Sequence, residues 1–161
     1  MKWSKLRVKT RSNVCEALRD RIDFHVATYR ESHDSGLRRG WITVDRRQIA
    51  SWSCHELDRN GNLLNEPVPV YTLADPEITL ALSRDGKYSG SGFMNYLTDY
   101  LNIDPQSALR SEIPLIRTLA VVDRRIGKRS LKKYPIKDEP DRIVKALFEL
   151  RSEAEANYQN A

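Results

Sequence analysis

The sequence predicts an α+β fold, a three-stranded antiparallel sheet with helices packed on one face. Two observations lead there. Apolar residues between positions 22 and 57 recur with a period of two, whereas on either side they recur with a period near 3.6. Helical patterns both precede and follow the strand-like stretch, which makes the sheet the centre of one core. A chain of 161 residues fits a single domain spanning 1–161, large enough to bury a core without metal or disulfide staples.

Each element has its own signal. Residues 4–20 read as a first helix, with Val14, Leu18 and Ile22 at i, i+4 and i+8. The alternation of Ile22, Phe24, Val26 and Thr28 against Asp23, His25, Ala27 and Tyr29 marks a strand over 22–30. Two more strands follow over 40–46 and 48–57. A hairpin closed at Asp45–Gln48 pairs Val44 with Ile49, Ile42 with Ser51 and Trp41 with Trp52, setting two tryptophans opposite each other. Arg46-Arg47 is poor chemistry for a two-residue turn, so a four-residue loop is the alternative.

Downstream, "DRNGN" at 58–62 is a turn signal and "NEPVPV" at 65–70 an extended segment. Asp75-Pro76 opens a short helix ended near Gly86. Phe93, Tyr96, Leu97, Tyr100 and Leu101 form one face of an amphipathic helix. Pro105 restarts one helical turn, 114–126 is another helix, and 140–158 is the last, with Ile143, Leu147, Leu150 and Ala154 as its buried stripe.

Charge is unevenly distributed. Residues 117–137 carry eight basic groups and one acid, and the flanking blocks are net acidic. On a helical wheel Leu115, Leu119, Val122 and Ile126 share one side, while Arg117, Arg124, Arg125 and Lys128 fall on the other. Continuing the helix through Gly127 would turn Arg129 and Lys133 inward and Leu131 outward. The helix should therefore stop or bend near Gly127, glycine being the residue that most readily takes the left-handed closing conformation, and a second short turn should bury Leu131 and Tyr134 before Pro135. Cations on the outer face and near a helix end need no ligand to explain them. Their excess nonetheless nominates Arg117, Arg124, Arg125, Lys128 and Arg129 as candidates for binding an anion or nucleic acid.

Other chemistry is weakly signalled. The three histidines, His25, His33 and His55, form no H-E-x-x-H, and Cys15 and Cys54 form no C-x-x-C. "YSGSGF" at 88–93 lacks the third glycine of a dinucleotide loop and reads as a turn. No catalytic residue, metal site or cofactor is expected. Two cysteines fit a reducing cytoplasm. Lysines and arginines interrupt any apolar run after Met1, which argues against a secretory signal, and no stretch is long and apolar enough to suggest a membrane partner.

"WSKLR" at 3–7, "RIDFHVATYR" at 21–30, "GWITVD" at 40–45 and "DRRIGKRSL" at 123–131, in that order, resemble a family of small uncharacterised bacterial proteins. The resemblance implies a bacterial cytoplasmic protein and brings no established activity or catalytic residue. Asp-Gly is the commoner hairpin pair in that family, where this chain has Asp45-Arg46.

Three functions are compatible with these observations. The first is a non-enzymatic module that binds another protein or associates with itself. The second is nucleic-acid binding through the basic 117–133 segment, aided by the basic N-terminal residues. The third is a hydrolytic or metal-dependent enzyme built on His25 or His55.

Overall fold

The computed structural model of the chain describes residues 1–29, 37–53, 87–89 and 92–158. The expected turn at 58–62, the extended segment at 65–70, the helix after Asp75, and Cys54, His33 and His55 lie outside the described residues.

The sheet runs through β1 (Ile22–Tyr29), β2 (Leu37–Val44), β3 (Arg47–Ser53) and β4 (Lys87–Ser89), adjacent in that order. The first three strands form the expected antiparallel sheet. The three-residue β4 was not signalled by the sequence and lies parallel to β3. Alternation sorts the two faces. Ile22, Phe24, Ile42, Ala50 and Trp52 are buried beneath the helices, whereas Asp23, His25, Trp41 and Ser51 alternate with them on the other face.

The hairpin corrects the expected register. Val44 pairs with Arg47 and Thr43 with Gln48, then the pairing shifts so that Ile42 faces Ala50, Trp41 faces Ser51 and Gly40 faces Trp52. Ile49 is the extra residue of a bulge. The two tryptophans therefore point to opposite faces, Trp52 into the core and Trp41 outward. The turn is the tight one, with φ of 48° at Asp45 and 66° at Arg46. Aspartate tolerates this region, and Arg21 fixes it: Nε and Nη2 donate to the Asp45 carboxylate at 3.0 and 2.7 Å. The Asp45 N–H in turn donates to the Arg21 carbonyl at 2.8 Å. Arg46 takes the left-handed backbone at a cost of roughly 1–2 kcal/mol.

Helix α1 (Trp3–Asn13) ends before the expected 20, and a 3₁₀ turn follows over Glu16–Leu18. Tertiary pairing overrides helical spacing here. Val14 bridges to Asp123, the Cys15 N–H donates to the Val122 carbonyl at 2.8 Å, and the Arg124 N–H donates to the Asn13 carbonyl at 2.8 Å. Val14, Leu18 and Ile22 are all buried, but from a bridge, a 3₁₀ turn and a strand.

The remaining helices are α2 (Phe93–Asn102), α3 (Pro105–Ala108), α4 (Pro114–Val121), α5 (Lys128–Lys132) and α6 (Arg142–Tyr158). Asp104 caps α3, accepting from the Ser107 N–H at 3.0 Å. Asp141 caps α6, accepting from the N–H groups of Ile143 and Val144 at 2.9 and 3.0 Å. Phe93 starts α2 directly over Gly40 and lies tilted against Trp52, ring centroids 5.2 Å apart. The core joins the inner sheet face to Leu6, Leu97, Tyr100, Leu115, Leu119 and Leu147 from the helices.

The chain does break within the basic stretch, but not as the wheel suggested. Helix α4 ends at Val121 and not at the expected 126, well ahead of Gly127. Gly127 has φ −73° and ψ 160°, an extended residue that precedes α5 and not a left-handed cap. The closing role falls to Arg151 of α6. Its Nη1 donates to the carbonyls of Val121 and Asp123 at 3.0 and 2.8 Å, and its Nη2 to that of Ile126 at 2.6 Å. The guanidinium thus satisfies the Val121 carbonyl that the helix end leaves unpaired and the Ile126 carbonyl ahead of α5, and adds a second donor to the Asp123 carbonyl, which also accepts from the Ile126 N–H at 3.0 Å. Beyond the break Leu131 is buried and Tyr134 half-buried, as the apolar rhythm required.

Candidate functional site around the basic helix

Helix α4 is buried over most of its circumference, so a cation on it needs a partner inside the fold. Arg117 finds one in Glu139. Its Nε and Nη2 donate to the two carboxylate oxygens at 3.0 and 2.9 Å, and its Nη1 donates to the carbonyls of Ser111 and Glu112 at 2.6 and 3.0 Å. Tyr134 adds its hydroxyl as a further donor to Glu139. Burial alone would push the Glu139 carboxyl up. The bonds from Arg117, Tyr134 and the Asp141 N–H outweigh it and hold the group below the usual range. Burial, followed by the adjacent carboxylate, raises the Tyr134 hydroxyl.

Arg125 is also committed. Asp123 is fully buried, and Arg125 clasps it through Nε at 3.1 and 3.0 Å and Nη2 at 2.6 Å, while the Arg125 N–H donates to the same carboxylate at 2.7 Å. The Tyr100 hydroxyl completes the shell of Asp123, and the Arg125 guanidinium lies 5.8 Å from the Tyr100 ring centroid. Asp123, the one acid among eight basic groups, is the node at which the reversal is tied.

Arg124, Lys128 and Arg129 have a different fate. All three side chains are exposed, as are those of Lys132 and Lys133, and none makes an ion pair with a described residue. The five nominated residues thus separate into two structural cations, Arg117 and Arg125, and three free ones. Helix α5 projects as a short basic ridge. Against one flank lies a depression of about 300 Å³, where Leu131 and Phe148 sit among Lys128, Lys132, Ser152 and Glu155, whose carboxylate is paired with Arg151.

The histidine and cysteine alternatives receive less support. His25 Nε2 lies 2.9 Å from Thr43 Oγ1 and its ring stacks on Trp41 at 5.1 Å. Burial lowers its pKa, partly offset by the Asp23 charge. Burial pushes the Cys15 thiol up, away from the reactive thiolate. Among the described residues no group of three or more His, Cys, Asp or Glu side chains could hold a metal ion, and no helix is long and apolar enough to cross a membrane.

A family model matches residues 2–152 of the chain. The chain belongs to the SF0329 protein family. The SF0329 match runs from α1 into α6 as far as residue 152, and so includes the Asp123 node, Arg151 and the basic ridge. No curated protein matches the chain, and no solved structure does.

Sequence reasoning missed Arg151 and Glu139. Arg151 did leave a signal: it sits at i+8 from Ile143 and i+4 from Leu147, on the very spacing of the buried stripe. An arginine at such a position has to find buried acceptors. Glu139 left none, because its role depends on where α4 passes.

Proposed function

We propose that this SF0329 protein is a bacterial cytoplasmic, non-enzymatic interaction module that docks an acidic surface of another protein through helix α5. The observation that carries this is the contrast within one short segment. Arg117 and Arg125 are neutralised by the buried carboxylates of Glu139 and Asp123, whereas Lys128, Arg129 and Lys132 are exposed without an ion pair to a described residue, Lys128 and Lys132 lining a depression with apolar surface from Leu131 and Phe148. Cations around a small apolar patch suit a protein partner, whose interface combines an apolar centre with a charged rim. Among the described residues the buried carboxylates Asp123 and Glu139 are held in structural networks, which supports a binding role.

The test is quantitative capture of partners from nuclease-treated bacterial lysate by the wild type and by K128E/R129E/K132E. A protein retained by the wild type and lost by a variant with unchanged melting temperature is the expected result. Equal retention by both would refute docking through α5.

Nucleic-acid binding is the second reading, favoured by the same free cations together with Arg124. Four phosphate contacts predict a slope of log K against log salt of roughly −3 to −4 on duplex DNA. Fluorescence anisotropy measures it directly. No affinity for duplex or single strand at low salt removes this reading.

A further inference from the structure

A second concavity lies on the other side of α5, against α3 and the segment 134–140. It has a volume of about 510 Å³, within the range of roughly 300–1,000 Å³ typical of small-molecule sites. Two short helices build it. Gln106 of α3 donates through Nε2 to Ser130 Oγ of α5 at 3.0 Å, which ties the helices side by side. Arg110 follows Gln106 by four residues, and Lys133 follows Ser130 by three, so each lies about one turn further along. Both line the cavity, both are exposed, and neither makes an ion pair with a described residue.

The acids of the cavity do not cancel these cations. Glu139 is saturated by Arg117 and Tyr134, which leaves Asp138 as the single exposed carboxylate in the lining. The Arg117–Glu139–Tyr134 network fixes the floor. With its hydroxyl committed to Glu139, Tyr134 offers the cavity its ring, and Leu109, Pro135 and Pro140 continue that apolar wall. Two free cations, a bonded pair of neutral hydrogen-bonding groups about one turn from each, and an apolar wall in the same lining describe a receptor for one kind of ligand.

We propose that this cavity binds a small organic anion. Arg110 and Lys133 hold its carboxylate or phosphate, Gln106 and Ser130 hydrogen-bond to that group, and the apolar body lies against Leu109, Tyr134 and the prolines. Lys128, Arg129 and Lys132 take no part, so the site is independent of partner docking on α5.

The test is a two-dimensional ¹⁵N NMR titration of the full chain with phenyl phosphate, benzoate and inorganic phosphate. Saturable shifts at Gln106, Arg110, Ser130 and Lys133 are expected with at least one of the aromatic anions, and the tighter of the two identifies the headgroup. R110E/K133E, and the milder R110Q/K133Q, should weaken that binding by about tenfold or more, because each removes charge-assisted hydrogen bonds. K128E/R129E/K132E should leave it unchanged. Absence of localised saturable shifts with either aromatic anion overturns the proposal. So does inorganic phosphate binding as tightly as the aromatic anions, or equal loss of binding in the α5 variant.

Discussion

A methyl group added at Gly127 meets no atom within 4 Å, and the backbone there is one that any residue adopts. Gly127→Ala should therefore hold stability or raise it by about 0.4–1 kcal/mol, by narrowing the unfolded ensemble. A left-handed cap would instead make the same substitution destabilising, so urea denaturation separates the two conformations. Gly40 is the opposite case. A Cβ there would come within 2.2 Å of the Phe93 ring, and Gly40→Ala should cost about 1–3 kcal/mol through overpacking. Nothing in the sequence distinguishes these glycines, because the close approach at Gly40 is made by a residue from a distant helix. The phase error in the apolar rhythm correctly located a break near Gly127, but it assigned the break to the wrong residue. Rhythm reports which side chains face inward; it does not report which group satisfies the carbonyls at a helix end.

Elements were legible where one periodicity ran long enough to outvote local exceptions. The amphipathic face of α2 and the single turn at Pro105 appear as expected, whereas the stripe of α6 is met at Ile143 and Leu147 only, with Leu150 and Ala154 half-buried and Val144 and Arg151 buried in addition. The first helix was overextended because Val14 and Leu18 keep helical spacing while their backbone turns to meet Asp123. The hairpin register slipped at the bulge around Ile49, which leaves no mark in an alternating pattern. Arg151 is the sharpest test at this scale, since it joins α6 to the end of α4 through three carbonyls. Arg151→Met keeps much of the volume and removes every donor. It should cost about 2 kcal/mol or more in guanidinium denaturation, at roughly 1–3 kcal/mol for each of the two carbonyls, those of Val121 and Ile126, left unpaired. A loss below about 1 kcal/mol would mean that water or backbone replaces the arginine without difficulty.

At the scale of the whole molecule, three groups that titrate on the acid side, Asp23, Glu139 and His25, tie stability to pH with one sign. Asp23 and Glu139 are held below the usual carboxylate range, Asp23 because the Arg7 bond, the Phe24 N–H and the charges of Arg7 and Arg11 outweigh its burial. His25 is lowered by burial. In each case the unfolded chain binds protons at a higher pH than the folded one, so stability falls on acidification. The His25 contribution should fade as pH drops below about 6.5, and the carboxylate contributions below about 4. His25→Gln should flatten the first step in melting temperature and leave the second; a rise in stability between pH 7 and 5 would contradict these assignments. The candidate site was half legible in the sequence. The excess of positive charge over 117–137 could be counted, but the pairing of Arg117 with Glu139 and the burial of Asp123 depend on how α4 and α6 pack.

The central claim is that the basic segment divides into cations that build the fold and cations that face a partner. Partner retention by K128E/R129E/K132E, compared with wild type at matched melting temperature, tests it most directly. Loss of a nuclease-resistant protein partner with no loss of stability is the predicted result. A variant that melts early, or one that keeps the same partners, would contradict it.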